Sequence, residues 1–170
     1  MMQKLGRVAI ATAAAAAVFG AAPAHAASPD NGTISKSKRT IKWTGGPYAV
    51  SYPTTDVECP GGKTDPGCDH FFLKVDMGDG AVIKVSIAGS TSGLEFLQSI
   101  AAGPNDFDLF VYAPDGTKVG ESATPRGRES VTFVHKRAFR NKPYEVRVVP
   151  YLVVPGATYQ GTVRAMTSVR

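Results

Sequence analysis

The sequence predicts an all-β domain: a sandwich of two antiparallel sheets, jelly-roll or immunoglobulin-like, built from eight or nine short strands. Three observations carry that expectation. In residues 106–112, Phe107, Leu109 and Val111 alternate with Asp106, Asp108, Phe110 and Tyr112, which is the period of a strand with one buried face. Pro114-Asp115-Gly116 then turns the chain, because proline presets φ and glycine accepts its positive values. Similar alternating runs, each bounded by turn residues, recur along the chain, and no long run has the helical period.

The elements follow in order. Thr40 to Thr44 is a short strand candidate holding the one tryptophan, Trp43; Gly45-Gly46-Pro47 breaks it, and Tyr48 to Tyr52 forms the next. Residues 53–67 are a loop rich in glycine and proline. In Asp69 to Asp76, Phe71, Leu73 and Val75 share a face; in Ala81 to Ala88, Ile83, Val85 and Ile87 do, with Lys84 and Ser86 opposite. Gly78-Asp79-Gly80 between them predicts a hairpin. Residues 89–105 read as a crossover covering one end of the core. Thr117 to Glu121 pairs back on 106–112. Further strands are expected at Ser130 to His135, Tyr144 to Val148 (ended or bent by Pro150) and Thr158 to Met166.

The first 26 residues lie outside that pattern. Lys4 and Arg7 precede an apolar, alanine-rich run from Val8 to Gly20, and Ala24-His25-Ala26 is a small-x-small cleavage site, so residues 1–26 read as a secretory signal peptide. The run is too short to span a bilayer, and no other segment suits stable membrane insertion. Residues 27–39 read as a flexible leader and 40–170 as the sandwich domain. Net charge is +5, and two of those charges leave with Lys4 and Arg7, so the balance demands no nucleic acid. The basic cluster Lys36, Lys38, Arg39 and Lys42 reads as a solvated arm. In an exported chain Cys59 and Cys68 are expected to form a disulfide that staples the Gly/Pro-rich loop.

Candidate site residues fall into three groups. Asp56, Glu58, Asp65 and Asp69 surround the stapled loop; calcium takes six to eight oxygens, so these acids are the candidate calcium ligands, with turn capping as their alternative use. Asp106 and Asp108 share a face and are read as fixing the start of their strand. Phe110 and Tyr112 lie opposite Leu109 and Val111, while Arg147 and Arg164 lie opposite the apolar stripes of their own strands. Exposed, these four make a ligand-binding face for a sugar or protein chain; covered, they belong to a second layer. Catalysis is not expected. Only His70 and His135 remain once the leader is gone, and no Gly-x-Ser-x-Gly, His-Glu-x-x-His or phosphate-cradling loop is present.

Taken in order, Asp69-His70-Phe71-Phe72, Asp106 through Tyr112 before Pro114-Asp115-Gly116, Tyr144-Glu145-Val146-Arg147-Val148 and Tyr159-Gln160-Gly161-Thr162-Val163 resemble the bacterial pre-peptidase C-terminal domain family over residues 66–166. The resemblance implies a secreted, non-catalytic sandwich, in that family usually appended to a peptidase or other exoenzyme. It strengthens the calcium assignment, since calcium-binding members use acids near the matching strand entry. The expected function is a secreted, non-catalytic binding module for an extracellular protein or polysaccharide, with calcium as its candidate ion. The alternatives are a stand-alone accessory or inhibitory partner of a secreted peptidase and, third, a small hydrolase.

Overall fold

The computed structural model describes residues 27–52, 59, 67–90 and 105–166. Within them the chain is a two-layer β-sandwich of nine strands: β1 Asn31–Ser35, β2 Thr40–Tyr48, β3 Asp69–Asp76, β4 Val82–Ser90, β5 Asp106–Tyr112, β6 Lys118–Ser122, β7 Arg128–Val134, β8 Tyr144–Leu152 and β9 Ala157–Ala165. One sheet has the order β1-β3-β8-β5-β6, the other β2-β9-β4-β7. All pairings within strands are antiparallel except β1 on β3.

The alternating side chains meet between the sheets. Phe71, Leu73 and Val75 of β3, Val146 and Val148 of β8, and Phe107, Leu109 and Val111 of β5 close on Ile83, Val85 and Ile87 of β4, Val131 and Phe133 of β7, and Tyr159 and Val163 of β9. Full burial of each such side chain contributes about 1.5–3 kcal/mol before chain entropy is charged against it. Trp43 stacks on Phe71 at 4.3 Å and meets Tyr159 edge-on at 6.4 Å. Gly161 makes that stack possible, because a Cβ there would collide with the indole.

Three expectations are corrected. The leader at 27–39 contains a strand: β1 pairs with β3 from Asn31↔Phe72 to Ser35↔Asp76, and Ile34 is fully buried. Alternation is hard to see in a strand this short. The β3–β4 connection is not a hairpin. β3 and β4 lie in different sheets, and Gly78 to Gly80 carries the chain around the sandwich edge. Thr40 to Tyr48 is a single strand, whose pairing with β9 slips between Gly45 and Tyr48 where the sequence suggests a break. The β5–β6 hairpin forms as expected, closed by Ala113 N–H to the Thr117 carbonyl at 2.7 Å, with Gly116 at φ +86°. Residues 1–26 and the centre of the 89–105 crossover lie outside the described residues.

Candidate functional site: the open face of the four-stranded sheet

The two sheets present different outer surfaces. On the five-stranded sheet, register places Phe110, Arg147 and His70 in one row and Tyr112, Glu145 and Phe72 in the next. The disulfide Cys59–Cys68 forms as expected, with Cα atoms 6.1 Å apart, and its cysteines pack with Phe110, Tyr112, Val149 and Tyr52 into a second small core. Phe110 is 1% exposed and Tyr112 is 8% exposed. Phe110 and Tyr112 are therefore covered, and Cys59, Cys68 and Tyr52 form part of that cover.

Arg147 is spent in the same cluster. Its guanidinium lies 4.0 Å from the centre of the Tyr112 ring and donates to Glu145 at 3.2 Å, while His70 Nδ1 meets the other Glu145 oxygen at 2.9 Å. Burial pushes the Glu145 carboxyl up, but bonds from His70 and Arg147 and their charges outweigh it and bring its pKa down to about 2. Arg164 is not part of this cluster. It stands exposed on β9, in the other sheet.

The acidic candidates separate in the same way. Asp69 points between the sheets and is 1% exposed. Its Oδ1 accepts from Ala27 N–H at 2.5 Å and its Oδ2 from the Tyr159 hydroxyl, which in turn accepts from Trp43 Nε1 at 3.1 Å. That carboxylate serves the core. Asp56, Glu58 and Asp65 lie outside the described residues, and among the described residues no three His, Cys, Asp or Glu side chains cluster as a metal site. Asp106 and Asp108 are buried at the start of β5. Burial first, then the charges of Asp106 and Glu129, raise the Asp108 pKa to about 6. Glu129 is held by the hydroxyls of Ser122 and, at 2.5 Å, Thr124. His135 is buried against Tyr144, its Nδ1 3.0 Å from the phenol oxygen.

What stays open is the outer face of β2-β9-β4-β7. Its side chains form three cross-strand rows. The first is Thr40, Arg164, Lys84, Thr132; the second Lys42, Thr162, Ser86, Ser130; the third Thr44, Gln160, Ala88, Arg128. Four cations thus share a face with hydroxyls and one amide, and with no carboxylate or aromatic ring. Lys84 stands directly across from Arg164, and Lys42 is diagonal to Arg164. Side chains so placed are neighbours at about 5 and 7–8 Å, and like charges directly opposed cost stability. Among the described residues no acid forms an ion pair with any of the four. Among the described residues, shallow depressions here measure about 390 Å³ beside Arg128 and Gln160, about 320 Å³ between Lys84 and Arg164, and about 160 Å³ beside Lys42 and Gln160, the last with Trp43 in its lining.

No protein-family model matches the chain, and no curated protein matches it. No helix among the described residues is long and apolar enough to cross a membrane.

Sequence reasoning singled out Arg164 on this face and missed its companions. The parity of Lys84 against Ile83 and Val85 was readable. That β9 lies between β2 and β4, and so gathers Lys42, Lys84 and Arg164, depends on sheet order, which no local pattern records.

Proposed function

We propose that the chain is a secreted, non-catalytic binding module that engages an acidic extracellular polysaccharide through the open face of its four-stranded sheet. The observation that carries this reading is the Lys84–Arg164 cross-strand pair, two cations opposed with no acid beside them. An anionic group lying between them replaces their repulsion with two attractive contacts. The flanking Thr162, Ser86 and Gln160 offer hydrogen bonds suited to sugar hydroxyls. A flat face fits an extended polymer better than a small molecule, which needs a concave pocket. Among the described residues the three rows carry no aromatic side chain, and Trp43 beneath them is buried, which disfavours single-stranded nucleic acid, whose bases need exposed rings to stack on.

The test is retention of the exported protein on immobilised alginate and dextran sulfate, with neutral dextran as the control. Lys84→Ser with Arg164→Thr should weaken binding roughly tenfold, at up to about 1 kcal/mol per exposed charge contact, without lowering Tm. Equal retention on neutral dextran, or an unaffected double variant, overturns the reading. Adding calcium in a parallel arm shows whether Asp56, Glu58 and Asp65 contribute an ion to the same complex.

A further inference from the structure

The N-terminal end of the described chain is inserted between the sheets. Ala27 is 4% exposed, although Ser28, Pro29 and Asp30 after it are all exposed. Two ladders hold it there. Ser28 exchanges main-chain hydrogen bonds with Thr44 at 2.8 and 3.0 Å, tying it to the four-stranded sheet. Two residues later the Asp30 carbonyl accepts from Phe72 N–H at 2.8 Å, and β1 continues along β3 in the other sheet. Between these ties the Ala27 nitrogen is aimed at Asp69 Oδ1.

Asp69 is buried without a charged partner on a neighbouring strand among the described residues. Among the described residues no lysine or arginine pairs with it. His70 is turned to the opposite face and is engaged by Glu145. Besides the Ala27 nitrogen, Asp69 is met by the Tyr159 hydroxyl, the His70 backbone N–H and the Tyr48 ring, all neutral; burial is the largest influence on its titration and the charge of His70 the smallest. Gly45 lets this cluster close, since a Cβ there would collide with both the Tyr159 ring and Asp69 Oδ2. A buried carboxylate with neutral donors only is costly, and a buried charge is retained where a partner charge meets it.

The sequence supplies that partner. Ala24-His25-Ala26 places the expected cleavage immediately before Ala27. We propose that removal of the leader after Ala26 creates a buried ion pair between the new α-ammonium of Ala27 and the carboxylate of Asp69, so that processing completes the core. A signal-removing peptidase hydrolyses the Ala26–Ala27 bond; water gives its hydroxyl to the Ala26 carbonyl and a hydrogen to the Ala27 nitrogen, which takes one more proton from solvent. An amide with one N–H becomes an ammonium with three and a full charge. The inference stands apart from polysaccharide binding, since Asp69 faces the core and the cationic face looks outward.

The experiment exports the full chain through its own leader and sequences the N-terminus of the product. A start at Ala27 is expected; any other start overturns the proposal. The native product is then treated with an amine-acylating ester, with surface lysines as the internal reference. The Ala27 amine should react at least tenfold more slowly in the native than in the urea-unfolded protein, and equal rates overturn the proposal. Inserting one serine between Ala26 and Ala27 displaces the amine by a residue and should lower Tm by roughly 10 °C. In an Asp69→Asn background the same insertion should change Tm little. An insertion that leaves Tm unchanged in the wild-type background refutes the pair. If either variant does not fold, the acylation rates of the unaltered product still decide.

Discussion

Two carboxyl groups set opposite ends of the pH range over which single residues stabilise this fold. Asp108 has its folded pKa raised to about 6 by burial and by its acidic neighbours. A raised pKa means that its contribution is fully present below the unfolded value near 4 and is lost as pH rises through about 6. Asp108→Asn should therefore raise stability at pH 7 by about 1–2 kcal/mol and leave it nearly unchanged at pH 4, as read by urea denaturation. Glu145 runs the other way. Its folded pKa of about 2 means that its contribution is present above the unfolded value of 4.5 and is lost as pH falls towards 2. Glu145→Gln should weaken the fold at pH 7 and flatten its acid sensitivity; a variant as acid-sensitive as the parent would show that the bonds from His70 and Arg147 do not hold it. Neither shift was readable from sequence, because that of Asp108 depends on its burial and on the approach of Glu129 from the other sheet, and that of Glu145 on register. Glu145 meets His70 only because β8 pairs with β3 at His70↔Arg147.

At the scale of the element, the Cys59–Cys68 bridge covers part of one sheet. Phe110, Tyr112 and Val149 point outward from their strands, and the Cys59–Cys68 bridge and Tyr52 lie over them. Cys59→Ser with Cys68→Ser should cost roughly 2–3 kcal/mol in the chain-entropy account of a short closed loop. It should also increase binding of a hydrophobic dye, as the aromatic side chains beneath the bridge are uncovered; loss of stability without new dye binding would mean that their cover does not depend on the bridge. Phe110→Ala should cost about 3 kcal/mol, the penalty of a truncated core ring, where an exposed ligand-gripping ring would cost almost nothing. Local period made most elements legible, since β3, β4, β5, β7 and β9 all show it. It did not show β1, too short for a pattern, nor that β3 and β4 belong to different layers. Alternation tells which side chains share a face, but only packing tells whether a second layer covers it, which is why Phe110 and Tyr112 read equally well as ligand groups or core.

At the scale of the molecule, the sandwich is asymmetric: one sheet has its outward Phe110, Tyr112 and Val149 covered, and the other presents a cationic outer face. The five-stranded sheet holds Arg147 against Glu145 and Tyr112, while the open face leaves Lys42, Lys84, Arg128 and Arg164 without acidic partners among the described residues. Such a distribution gives the open face a field of its own, although the net charge of the chain is modest. Exposed charges are screened over a Debye length of about 8 Å at 0.15 M salt and about 3 Å at 1 M, distances that bracket the spacing of these cations. Retention on alginate should therefore fall steeply between 0.05 and 0.5 M salt, a range taken to sample that screening. Removing Arg128 alone, at the far corner, should reduce the salt dependence less than removing Arg164 alone, because Arg128 faces its ligand singly while Arg164 and Lys84 converge on one anion. Equal effects from the corner and the centre would mean that only total charge matters and that the opposed pair forms no site.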